Sequence, residues 1–127
     1  MSRPMKVPGP DHPITLGPAH RHIRVLFNGK TVAESRRAIA LEEASYPTVY
    51  YLPLADADRT ALRPSETTSW CPYKGEAGYF SLSVDGKDSG DAVWTYADPF
   101  PAVAAIKDHV AFYPDRVDGI EVMPLEG

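Results

Sequence analysis

The sequence predicts a mostly β, β-rich α+β domain: a compact small barrel or two packed antiparallel sheets built from hairpins, with two short helices. Three observations carry this expectation. Ile23, Val25 and Phe27 alternate with Arg24 and Leu26, the two-residue period of a strand. Asn28-Gly29 follows at once, and both residues tolerate the positive φ that a tight hairpin turn demands. The remaining strand-like runs are joined mainly by short turns, and parallel strands would need crossovers of a dozen residues or more.

The elements follow in chain order. Five of the thirteen prolines fall at Pro4, Pro8, Pro10, Pro13 and Pro18, so the first stretch is neither helix nor central strand. Residues 1–20 read as an extended proline-rich arm, without order to about residue 10, whose Asp11–Thr15 piece packs on the domain. Residues 21–127 read as a single β-rich domain. Thr31–Glu34 is the return strand of the first hairpin. Residues 35–45, "SRRAIALEEAS", suit helix or strand, since good helix formers coincide with the alternation of Ile39 and Leu41. Thr48–Pro53 is β-branched and aromatic, hence a strand. Asp56 is positioned to cap a brief helix through Leu62, which Pro64 stops. The runs "AGYFSLSV" and "DAVWTYA" flank the glycine-rich "DGKDSG" and form a second hairpin. Pro99 and Pro101 open a short helix, "PAVAAIKD". "HVAFYP" and "GIEVM" are the last strands.

The totals narrow the function. A chain of 127 residues is one domain by default and long enough to bury a core without disulfides. The net charge of −4 argues against nucleic acid as a partner, because phosphates need a basic footprint. No apolar run has the length of a membrane span. The N-terminal residues lack the apolar core of a secretory leader, and one cysteine offers neither a disulfide nor a CxxC zinc pair. The expected setting is cytoplasmic and reducing. No cofactor is called for, and a second copy is neither implied nor excluded.

The runs "VAESRRAIALEE", "VYYLP", "CPYKGEAGY", "AVWTYADPFP" and "VAFYPDRVD", in this order, resemble the domain-of-unknown-function 427 family over Arg24 to Asp118. "PGPDHPIT" resembles a lead-in of some members. The resemblance implies a single small β-rich domain of bacterial type and no established activity. A nucleotidyltransferase-like label is attached to the family.

The chemistry concentrates in "WCPYKGEAGYF", Trp70 to Phe80. Pro72 presets φ for a turn and Gly75 takes conformations closed to other residues, so Cys71–Gly75 is a sharp reversal at a strand end. Such a turn displays Lys74 near the Cys71 sulfur, where an ammonium favours the thiolate. Equally, Cys71 suits a small buried apolar position. The residues expected to line a pocket are Arg37, Glu42, Tyr51, Tyr73, Gly75, Trp94 and Tyr96. Alternation turns one of Arg36-Arg37 and one of Glu42-Glu43 inward, and an inward Arg37 and Glu42 would form a charged wall beside Lys74. A cluster of tyrosine hydroxyls around Lys74 would give the aromatic walls a polar floor.

The best function from the residues is a pocket at this turn for a small anionic or carbonyl-bearing molecule. The alternatives are an enzyme using Cys71 or Lys74 chemically, and a structural or partner-binding domain. A nucleophilic cysteine needs a base, for which His109 is the candidate. His20-x-His22 has the spacing of a metal-binding pair on one strand face, without the further ligands such a site needs. Asp56-x-Asp58 is the pair that would hold magnesium for phosphoryl transfer, though it also suits a helix cap.

Overall fold

The computed structural model describes residues 5–125. Among them are ten strands: β1 (Ile14–Pro18), β2 (Arg21–Phe27), β3 (Lys30–Ser35), β4 (Ile39–Glu43), β5 (Val49–Pro53), β6 (Leu62–Cys71), β7 (Gly75–Val84), β8 (Lys87–Thr95), β9 (His109–Phe112) and β10 (Gly119–Pro124). They form two antiparallel sheets, ordered β1-β4-β5-β9-β8-β7-β6 and β10-β2-β3, and no barrel closes. The ambiguous run at 35–45 resolves as strand, because β4 finds partners on both sides.

Two hairpins follow the turn chemistry. Asn28 and Gly29 take φ of 49° and 76°, the double positive φ of a primed turn. Asp85 and Gly86 do the same at 48° and 82°, so the second turn has two residues and Lys87 onward is already strand. The two expected helices are instead 3-10 segments, among the four at Leu54–Asp56, Arg59–Ala61, Pro101–Ile106 and Pro114–Arg116. Each is too short to nucleate an α-helix between flanking prolines and strands. Asp58 rather than Asp56 is the cap, accepting from the Thr60 amide at 3.0 Å.

The large sheet is buried on both faces at its centre. On one face Leu52, Leu82, Val93, Val110 and Phe112 meet Ile23, Val25, Phe27 and Val32 of the small sheet. On the other, Leu41, Tyr51, Ala77, Tyr96 and Ala111 are covered by Val103 and Ile106 of the Pro101–Ile106 segment. Side chains of this size contribute about 1.5–3 kcal/mol each when fully buried. Residues 14–18 of the proline-rich stretch form edge strand β1 against β4, where prolines are tolerated. Further back, the Lys6 amide donates to the Pro72 carbonyl at 2.8 Å. Residues 1–4 lie outside the described residues. No helix among the described residues is long and apolar enough to cross a membrane.

Candidate functional site

Strands β6 and β7 are joined by Cys71-Pro72-Tyr73-Lys74-Gly75, with Cys71 opposite Gly75. The Lys74 amide donates to the Cys71 carbonyl at 3.2 Å, and the Lys74 carbonyl accepts from the Phe100 amide at 3.0 Å. Gly75 has φ of 108°, a region that side chains avoid, and is buried against the Asp98 carbonyl. The turn thereby fixes Lys74 with only 9% of its surface exposed.

A buried ammonium needs a partner. Lys74 Nζ donates to Glu43 Oε1, and His12 Nε2 donates to Glu43 Oε2 at 2.6 Å. Burial works to raise the Glu43 carboxyl, but the bonds from Lys74 and His12 outweigh it and hold it below the ordinary carboxylate range. His12 in turn stacks on Tyr73, with centroids 4.1 Å apart and planes 8° from parallel. The arm is thus tied to Glu43 through His12 and to the 71–75 turn through Lys6.

Lys74 and Glu43 line a cavity of about 240 Å³ together with Tyr51, Tyr79, Trp94, Tyr96 and Tyr113, and with Leu41, Val49 and Ser69. These residues share one sheet face because cross-strand partners point the same way: Ile39 opposite Tyr51, Trp94 opposite Ala111, Tyr79 opposite Trp94. The Trp94 indole donates to the Tyr51 hydroxyl at 3.1 Å and its ring lies 4.4 Å from that of Tyr113. Ser69 and Tyr79 hydroxyls pair at 2.8 Å. The Tyr96 hydroxyl has no hydrogen-bond partner among the described residues. Burial pushes the Tyr51 and Tyr96 phenols well above the ordinary tyrosine range, and Tyr113 up to about 12. The wall is therefore neutral and rich in hydroxyl donors.

Three of the expected lining residues, Tyr51, Trp94 and Tyr96, meet in this cavity together with Lys74, expected as a chemically acting residue. Tyr73 and Gly75 belong to the turn that carries Lys74 but do not line the cavity: Tyr73 stacks on His12 and Gly75 lies against Asp98 and Phe100. Glu42 does not belong: it is exposed, and its neighbour Glu43 takes the inward place, because β4 alternates Ile39, Leu41, Glu43. Arg37 does not reach Lys74 either. It precedes β4, is largely exposed, and forms a two-pronged pair with Asp56 at 3.0 Å for both bonds. Cys71 packs against the cluster containing Leu41, Tyr51 and Tyr96 and is not part of the cavity lining. His109 is engaged through Nδ1 with the Lys107 carbonyl at 2.8 Å.

The other constellations dissolve into local pairs. His20 sits outside β2 with φ of 54°, so strand alternation does not align it with His22, which binds Glu34 at 2.6 Å. Arg37 and Ser35 together hold the Asp56 carboxyl below its usual range. Lys30 and Thr60 hold Asp58 at about 2. No group of three or more metal-ligating side chains occurs among the described residues.

The family model described as a domain of unknown function, DUF427, matches residues 15–123. The chain belongs to this family. The matched span runs from β1 to β10 and contains every residue lining the cavity, while His12, which binds Glu43 from the arm, lies before it. The nucleotidyltransferase label on the DUF427 model has its nearest counterpart here in Asp56 and Asp58, each neutralised by its own cation. No curated protein matches the chain. His12, Ser69 and the loop residues Tyr46 and Pro47 were not anticipated from the sequence. Only Glu43 left a readable trace, in the parity it shares with Ile39 and Leu41.

Proposed function

We propose that this DUF427 domain binds a small carbonyl-bearing molecule in the tyrosine-walled cavity beside Lys74. The observation that carries the reading is the buried Lys74–Glu43 pair in the lining of an otherwise neutral, aromatic hollow. Lys74 has three donors and commits one to Glu43, so further N–H groups remain for an acceptor. A planar ligand would lie against Trp94 and Tyr113, with its carbonyl oxygen toward Lys74 and the Tyr96 hydroxyl. The carboxylate of Glu43 cancels the lysine charge locally, which disfavours an anion relative to a neutral acceptor. A volume of about 240 Å³ is below the roughly 300–1,000 Å³ of drug-sized sites and suits a molecule of small metabolite size.

Acetophenone is a suitable probe, with α-methylstyrene as its isostere lacking the oxygen and benzoate as its anionic counterpart. The expected result is a shift of the Trp94 indole N–H resonance with acetophenone, a weaker one with either control, and loss of binding in Lys74→Met with the fold retained. Equal binding of α-methylstyrene, or undiminished binding by Lys74→Met, overturns the reading. Tighter binding of benzoate restores the anionic ligand in its place.

A further inference from the structure

A second cavity of about 510 Å³ lies between the two sheets, lined by Ile23, Val25, Leu52, Phe112, Ile120 and Val122 among others. It shares Tyr46, Pro47, Val49 and Trp94 with the polar cavity, so the two abut. The cause is a parting of strands. β5 pairs with β9 only at Leu52–Val110 and Pro53–His109, and Val49–Tyr51 has already left it. Trp94 stands where the strands diverge and belongs to both linings. The loop 44–48 roofs the junction, with Ala44 at φ of 47° and Tyr46 64% exposed. Val122, 43% exposed, stands at the outer mouth.

From this we infer that the ligand is amphipathic: a carbonyl head beside Lys74, and an apolar chain that passes Trp94 into the cleft between the sheets. This inference rests on the carbonyl-pocket reading and extends it to a substrate class, a medium-chain alkyl or prenyl carbonyl compound. The chemistry is divided accordingly. The inner end carries Lys74, Glu43, Ser69 and tyrosine hydroxyls, while the cleft is almost wholly hydrocarbon. An apolar chain seated there would contact branched and aromatic side chains instead of water, and a head group alone would leave the cleft unused.

The test is a series of para-n-alkyl acetophenones, from the parent to para-butyl, titrated by calorimetry into the full chain. Affinity should rise about fourfold per methylene, the equivalent of about 0.8 kcal/mol for each buried CH₂. Val122→Trp, with Val122→Phe as a milder filling of the same mouth, should flatten that rise while leaving the parent's affinity unchanged. Lys74→Met should weaken every member and keep the rise. A parent that binds with no gain along the series overturns the amphipathic ligand and leaves the carbonyl pocket standing. A gain untouched by both Val122 variants overturns it as well, since the chain then lies elsewhere. If n-butylbenzene binds as tightly as para-butylacetophenone, the head group is irrelevant and both readings fall.

Discussion

Replacing Glu43 by glutamine keeps the shape of the site and removes one charge. Lys74 and His12 both donate to that carboxylate, and the two side chains of the ion pair are only 11% and 15% exposed. Removing one member of a buried pair costs about 3–5 kcal/mol, because the other charge is stranded. The residual exposure lets water reach Lys74, so a smaller loss, about 2–3 kcal/mol, is expected. The double variant Glu43→Gln/Lys74→Met should recover most of it, since neither member of the pair is then left as a stranded buried charge. Urea unfolding at pH 7 reads this directly: with a slope of about 1–3 kcal/mol/M, the single variant shifts the midpoint by about 1–2 M. A single-variant cost under about 0.5 kcal/mol, with the double variant no better, would refute the reasoning and reduce the pair to a solvated contact.

The same carboxylate sets an acid limit. Its folded-state pKa is depressed, so its stabilisation is complete above the ordinary value of 4.5 and disappears as pH falls through the lowered value. Glu43→Gln should flatten that part of the acid unfolding curve, and an unchanged curve would contradict it. At the alkaline end, stability should fall as pH rises above 10, because unfolded phenols ionise before Tyr51, Tyr96 and Tyr113. Absorbance at 295 nm should accordingly show these tyrosines ionising only together with unfolding. Gly75→Ala should cost about 1–3 kcal/mol from backbone strain at φ of 108°, seen as a lowered Tm. Cys71→Ser should leave acetophenone binding unchanged, and a lost affinity would return the thiol to the site.

Much of the fold could be read where the physics is local. Asn28-Gly29 announces its turn because few other pairs accept two positive φ angles, and the strands beside it follow from alternation. The central strands were harder. β9 buries Val110, Ala111 and Phe112 in succession, having a core on each face, so no period survives in its sequence. β6 runs through Pro64 because it is the sheet edge and needs no second partner there. The helical reading of Asp56–Leu62 mistook a cap-rich, proline-bounded stretch for a helix, when its carboxylates serve separate cations. At the site, the turn was legible and its ion partner was not. Glu43 reaches Lys74 across β4 and the hairpin, 31 positions away, and His12 arrives from an arm with no pattern at all. Both contacts are fixed by sheet order, which short-range periodicity does not encode.

A crystal of the full chain soaked with acetophenone puts the central claim to its most direct trial. Density for the ring against the contacting Trp94 and Tyr113 rings, with the oxygen within about 3.2 Å of Lys74 Nζ, is the predicted result. A cavity filled only by ordered water at saturating probe, or a probe seated elsewhere on the surface, would contradict it.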